Sequence, residues 1–427
     1  MTQDTRRRSS SGRSSSGRSS SERSSSSRNG SGRSSSSKSA SGRSSSGRSA
    51  SVSGTRSRNS SGRRRKGKRA AARKRRRMII FAVEAIVLVC LVGVLFFVSK
   101  LDKMQSGDMT AVASEGEEEN LSDVQVEENT NLDEATTAKL EKFTTIALFG
   151  VDSRTGILGK GSRSDTIIIA SINNETKEVK LCSVFRDTYL NMTNGTYNKA
   201  NAAYAFGGPD QAIRMLNLNL DLNISKYVSV DFTAIANAVD ALGGIEMEIT
   251  DAEVSHLNNY TVETSEVVGR STTKLPGPGT YNLDGIQAVS YCRIRYTKGD
   301  DFKRAERQRT VVAKIVEKAK TADVATLNKI IDEMFPQVAT NLKAADVTSM
   351  AADVLSYNIV GSDGFPFDRT TGTFGSKGSC VVAADLTSNV EQLHEFLFGA
   401  EDGYTVSDGV KEISAKITSE TGVTAAQ

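Results

Sequence analysis

The sequence predicts an α/β fold: a three-layer α-β-α domain around a central mixed sheet, preceded by one transmembrane helix and a disordered N-terminal tail. Three observations lead there. From Phe143 onward, nearly continuous apolar strands alternate with amphipathic helices, the pattern of a sheet covered on both faces. Residues 78–98 form one long apolar run. Residues 1–77 carry 24 Lys and Arg against two acids, Asp4 and Glu22, a charge of +22; the whole chain of 427 residues carries +5, which leaves −17 for everything after residue 77.

The tail at 1–77 repeats a basic residue every fifth position from Arg13 to Arg48 in units resembling SSSGR. A period of five matches neither a helix nor a strand, and Ser, Gly and Arg bury too little apolar surface to offset the entropy of ordering. A disordered cytoplasmic polycation follows, expected to lie against anionic membrane lipid or serve regulation, the alternative being a merely topogenic and solubilising segment. It has no aromatic residue to stack on bases, so no specific nucleic acid is expected as a partner. Phosphorylation of its serines would cancel the charge.

Residues 78–98 hold 21 residues with a single charge, Glu84, enough to span about 30 Å of hydrocarbon. The run lies too deep in the chain for a cleaved signal and predicts a permanent single-pass anchor in the cell membrane. Arg73 to Arg77 on one side and the acidic stretch 115–119 on the other put the N-terminus in the cytoplasm and the rest outside. Residues 99–140 are an acidic extracellular linker without hydrophobic period.

In the globular part, 144–150, 165–172 and 179–185 read as buried strands. Pro209 to Leu218 and Asp231 to Leu242 read as helices, the second capped by Asp231. Both helices are candidate walls for a pocket. The core is expected at 141–320, with 321–400 as an extension packed on it and 401–427 loosely held.

Only His256 and His394 occur, which nearly excludes a histidine-rich metal site and disfavours a Ser-His-Asp triad. Cysteines at 90, 182, 292 and 380 form no CxxC pattern; one disulfide or none remains open. Chemistry here rests on carboxylates and guanidiniums. Polar clusters follow the strands, where open α/β sheets bind ligands: GVDSR (150–154), GSRSDT (161–166) and RDT (186–188). Antiparallel neighbours would place Asp152 and Asp165 side by side, oxygen ligands suited to Mg²⁺ or Mn²⁺; the alternative is that each is a turn or capping aspartate.

Residues 101–427 contain eleven arginines, and eight fall in four short motifs. An acidic domain that reserves arginine for loops is built to bind an anion, since the guanidinium holds phosphate in bidentate geometry. Arg293 and Arg295, two apart on an expected strand, would point the same way. Arg304, Arg307 and Gln308 have the spacing to share a helix face, the alternative being a solvated basic helix start.

These motifs in order, with KANAAYAFGG (199–208), VDF (230–232), VDALGGI (239–245), YNLDGIQA (281–288) and RIR followed by DFKRAERQR (293–309), resemble the LytR-CpsA-Psr family over about 143–320. The resemblance implies a Mg²⁺-dependent transferase at the outer face of Gram-positive membranes. Such enzymes move a glycopolymer, a teichoic acid or capsule chain, from a polyprenyl-diphosphate carrier onto peptidoglycan and form a phosphodiester. Asp152 and Asp165 would take the metal-binding role. Arg163, Arg186, Lys199, Arg293, Arg295, Arg304 and Gln308 would fall among the diphosphate-binding positions, with Arg154 in the motif's own arginine place. Arg186 and Asp152 would be catalytic. Phe185 stands where the family often has proline. The competing readings are a non-catalytic membrane receptor acting through its basic tail, and a lipid pyrophosphatase.

Overall fold

The computed structural model describes residues 128–424 apart from 154, 155, 157, 298, 335, 336 and 401–403. The predicted tail, the membrane helix at 78–98 and most of the linker lie outside the described residues. Among the described residues, no helix is long and apolar enough to cross a membrane.

Helix α1 (Glu134–Leu140), capped by the Asp133 side chain, leads into β1 (Phe143–Val151). Alternate residues of β1 serve both faces: Ala147 and Phe149 enter one core, Ile146 another. β2 (Ser164–Asn173) and β3 (Glu178–Val184) follow as an antiparallel meander. A short ribbon, β4 (Tyr189–Asn191) with β5 (Tyr197–Lys199), precedes α2 (Asn201–Leu220). That helix begins eight residues before the predicted Pro209, because it bends at Gly207 and Gly208 and Pro209 opens its second segment. β6 (Lys226–Val230) returns parallel to β1. Asp231 then caps α3 (Phe232–Ala241) by accepting from the Ala234 amide, as its sequence predicts.

A subsidiary layer comes next. β7 (Ile245–Ile249) runs into α4 (Asp251–Val268), and β8 (Gly279–Leu283) pairs back on β7 before α5 (Gly285–Arg293). Capping boxes at Thr250/Glu253 and Asp284/Gln287 fix the starts of α4 and α5. Val239, Ile245, Leu257, Leu283 and Val311 bind this layer together, the last from α6 (Asp300–Ala319).

The chain beyond 320 is not an appended extension. After α7 (Val324–Met334), β9 (Val338–Thr340) pairs antiparallel with β6; after α8 (Ala344–Ala352), β10 (Asn358–Phe365) pairs parallel with β3. The six-stranded mixed sheet has the order β10-β3-β2-β1-β6-β9, so both edges come from this region. A hairpin, β11 (Arg369–Thr373) with β12 (Ser379–Ala383), and helix α9 (Leu386–Phe398) follow. The last helix, α10 (Asp408–Thr421), is not loosely held: it buries Val410, Ile413 and Ile417, and buried Asp221 accepts from Tyr404 Oη (2.8 Å), the Ser407 amide (2.7 Å) and Ser407 Oγ (2.6 Å). Helices α2, α9 and α10 cover one sheet face, α6 and α8 the other.

His394 in α9 is buried, stacked on Tyr404 at 3.7 Å, with Nε2–H donating to Leu220 O at 2.9 Å and Nδ1 without a hydrogen-bond partner. Burial pulls its pKa down to about 4 from 6.5. The unfolded chain therefore takes a proton that the folded one refuses between those values, and stability falls as pH drops through that window, by up to about 3 kcal/mol at its lower end. Urea unfolding at pH 7 and pH 4.5 should show this loss in the wild type and a flatter profile in His394→Gln; identical profiles would remove the explanation.

Candidate active site

The site grows from the end of β1. A bulge between Gly150 and Val151 shifts the register against β2, and the Asp152 amide donates to Arg163 O at 3.4 Å. This brings Asp152 and Asp165 to line one cavity, as antiparallel neighbours were expected to do. Gly150 permits the approach, since a Cβ there would meet the Thr166 side chain at 2.9 Å.

Arg186 enters just past the end of β3. Its Nη1 donates to Asp165 Oδ1 at 2.8 Å and its Nε to Asp301 Oδ2 at 3.1 Å. Arg295 approaches the same two carboxylates at 3.5 and 3.6 Å, and Arg304, only 3% exposed, at 4.0 and 3.3 Å. Arg304 also donates to the Asp165 carbonyl. Three guanidiniums thus share two carboxylates, and Arg304 Nη1 has no hydrogen-bond partner. Burial would raise the Asp165 and Asp301 carboxyls, but the charges of Arg304, Arg186 and Arg295 outweigh it and hold both below the usual carboxylate range. For Arg304 burial dominates and draws it below the ordinary arginine value. With Asp187 3.6 Å from Arg186 the cluster is balanced, and its guanidiniums are held together by carboxylates that an incoming anion can replace.

Behind this rim the cavity extends for about 540 Å³ between the sheet and the helices α3 to α7. Ile235 and Ala238 of α3, Val289 of α5, and Val311 and Ile315 of α6 supply apolar walls. Of the two predicted wall helices only α3 takes part; α2 packs on the opposite face of the sheet. A long apolar slot ending in clustered guanidiniums matches an amphiphile with an anionic head.

The remaining predicted residues divide. Arg293 lines the cavity but is not on a strand: it ends α5, with Arg295 in the loop beyond, so the two reach different partners. Arg293 donates to Glu263 (2.8 Å) and Thr264 (3.0 Å) and lies over the rings of Phe232 and Tyr260. Gln308 lines the cavity and donates to Cys292 O at 3.4 Å. Arg307 does not share its face: it turns to Glu253 at 2.8 Å, away from the rim. Lys199 pairs with Asp187 at 3.2 Å, and Asp187 in turn lies 3.6 Å from Arg186, placing the lysine one shell out. Arg163 is exposed beside Asp152, and Arg154 lies outside the described residues.

Asp301 escaped sequence reasoning. It stands within a run read for its bases, although GDD at the head of a helix carrying Arg304 was a visible signal. No histidine lines the cavity. The three described cysteines are free, and burial raises all three thiols, Cys182 and Cys292 to about 12, so none is a ready nucleophile. Among the described residues, no group of three or more His, Cys, Asp or Glu could cage a metal. Two carboxylates on one cavity do fit Mg²⁺ in the form it takes at phosphate sites, held by one or two carboxylates together with substrate oxygens.

A model of the LytR-CpsA-Psr family matches residues 103–388. Over 214 residues the chain is 34% identical to the polyisoprenyl-teichoic acid–peptidoglycan teichoic acid transferase TagU of Enterococcus faecalis, spanning 49% of this chain and 65% of that one. Over 221 residues it is 32% identical to biofilm regulatory protein A of Streptococcus mutans, 49% of this chain and 52% of the relative. The matched stretch thus covers between about half and two thirds of these relatives. A crystal structure from Enterococcus faecalis, described as a transcriptional regulator, superposes with a TM-score of 0.51 at 26% identity, covering 68% of this chain and 98% of the other. With the family's model running over residues 103–388, most of the chain, this chain belongs to the LytR-CpsA-Psr family.

Proposed function

We propose that the protein is a membrane-anchored phosphotransferase that moves a glycopolymer from a polyprenyl-diphosphate carrier onto peptidoglycan. The observation that carries this reading is the union of an apolar cavity with Arg295 and Arg304 at its end and Arg186 joined to them through Asp165. The relative named as a teichoic acid transferase supports it. The prenyl chain would occupy the cavity and the diphosphate would replace Asp165 and Asp301 as partner of the three guanidiniums.

In the step itself, an acceptor hydroxyl oxygen bonds to the glycan-side phosphorus while the bond from that phosphorus to the bridging oxygen breaks. Polyprenyl monophosphate leaves, and the hydroxyl proton passes to the Asp152 carboxylate or to the leaving phosphate. Arg186, Arg295 and Arg304 hold the oxygens on which charge gathers, and positioning supplies the rest of the rate. Mg²⁺, held by Asp152 and Asp165, would neutralise diphosphate charge. Arg163, Lys199, Arg293 and Gln308 complete the proposed binding set, Arg293 and Gln308 by lining the cavity and Arg163 and Lys199 from its margin. The hydropathy of 78–98 and the basic flank before it support a single-pass protein with this domain outside the cell.

Full-length protein in detergent, given lipid-diphosphate glycan, peptidoglycan and Mg²⁺, is expected to release polyprenyl monophosphate in step with glycan coupling. Equal release without peptidoglycan would indicate a pyrophosphatase. No release, with glycan still bound, would favour a receptor, the reading suggested by the relative named as a regulator.

A further inference from the structure

A second space adjoins the charge cluster and shares no lining residue with the apolar cavity. Phe185 and Phe302 each neighbour a member of the cluster, Arg186 and Asp301, which pair at 3.1 Å. Their rings meet edge to face with centroids 4.7 Å apart, and the Arg369 guanidinium lies over both, 4.3 Å from Phe302 and 4.9 Å from Phe185. Arg369 Nη1 donates to Pro366 O and Phe367 O, both at 2.8 Å, so the plate is fixed. Phe302, Phe367, Asp368, Arg369, Thr370 and Thr371 line an open groove of about 470 Å³ along the first strand of the β11–β12 hairpin.

In-line displacement at phosphorus needs the nucleophile opposite the leaving group. With the prenyl chain in the apolar cavity, the acceptor needs a separate approach to the arginines, and this groove shares no lining residue with that cavity and reaches the cluster through Phe302, next to Asp301. Its chemistry is that of a pyranose: an aromatic and guanidinium plate for the apolar ring face, with threonine hydroxyls and a carboxylate for the hydroxyl rim. It is too polar for a second lipid chain. We propose that the groove seats the acceptor's glycan strand, a β-1,4-linked chain of N-acetylated hexosamines. The proposal rests on the transfer reading above.

The test uses full-length protein in detergent, with a peptide-free tetrasaccharide of β-1,4-linked N-acetylated hexosamines as acceptor probe and farnesyl diphosphate as donor probe. Thr371→Trp should fill the groove, and Phe302→Ala should remove half of its plate. Both are expected to weaken tetrasaccharide binding about three- to tenfold while the Kd for farnesyl diphosphate stays within about twofold. Equal tetrasaccharide binding by wild type and Thr371→Trp overturns the proposal, as does binding of a free stem peptide in its place. A wild type that binds both probes yet couples no glycan to peptidoglycan overturns the transfer reading, and the acceptor role with it.

Discussion

Arg186→Ala is expected to lower glycan transfer about 10²- to 10³-fold, the loss typical of deleting one preorganised donor at a site of developing charge. Arg186 is the only guanidinium of the rim within 3.2 Å of both Asp165 and Asp301, so it sets the spacing of the cluster as well as its charge. Removing it leaves Asp165, Asp187 and Asp301 near only Arg295 and Arg304, a cluster with less positive charge to offer a diphosphate. Arg186→Lys should recover little, because a single ammonium cannot span both positions. Initial rates of polyprenyl monophosphate release measure this; a rate within a few-fold of wild type would remove Arg186 from the mechanism.

Arg307→Ala is expected to cost about 3–5 kcal/mol of stability, the range for stripping one partner from a buried ion pair. Arg307 is 5% exposed and Glu253 7%. The guanidinium also donates to Ile294 O at 3.2 Å and Thr297 Oγ1 at 2.8 Å, tying the loop that carries Arg295 to the start of α4. Burial pushes the Glu253 carboxyl up, but the Thr250 amide and Arg307 hold it below its usual value, so the carboxylate is charged and would be left without its counter-ion. Urea unfolding gives the difference. A loss under about 1 kcal/mol would mean that water compensates Glu253, contrary to its burial.

Much of the site was legible because its determinants are local. Asp152 and Asp165 flank a strand connection, and antiparallel pairing, adjusted by one bulge, sets them on one cavity. The arginines stood out because the acidic domain otherwise carries its positive charge on lysine. What failed was non-local. Spacing i, i+3, i+4 allows Arg304, Arg307 and Gln308 one face, but the partner decides: Glu253, 54 residues away, draws Arg307 off. Arg293 reads as strand only until α5 is seen to run through it. β9 has three residues and β10 contains two glycines, too short and too weakly apolar to declare themselves as sheet edges, so 321–400 read as an addition to a domain it completes. The terminal helix looked loose because its apolar residues are sparse, and its anchor, Asp221, lies in the turn after α2.

In the proposed reaction the arginine rim delivers the glycan-side phosphorus to an acceptor. That step is tested most directly by labelling that phosphorus in the lipid-linked donor and following it. Label is expected in a phosphodiester between glycan and peptidoglycan, with unlabelled polyprenyl monophosphate as co-product. Label recovered as free glycan phosphate, or left on the lipid, would contradict it.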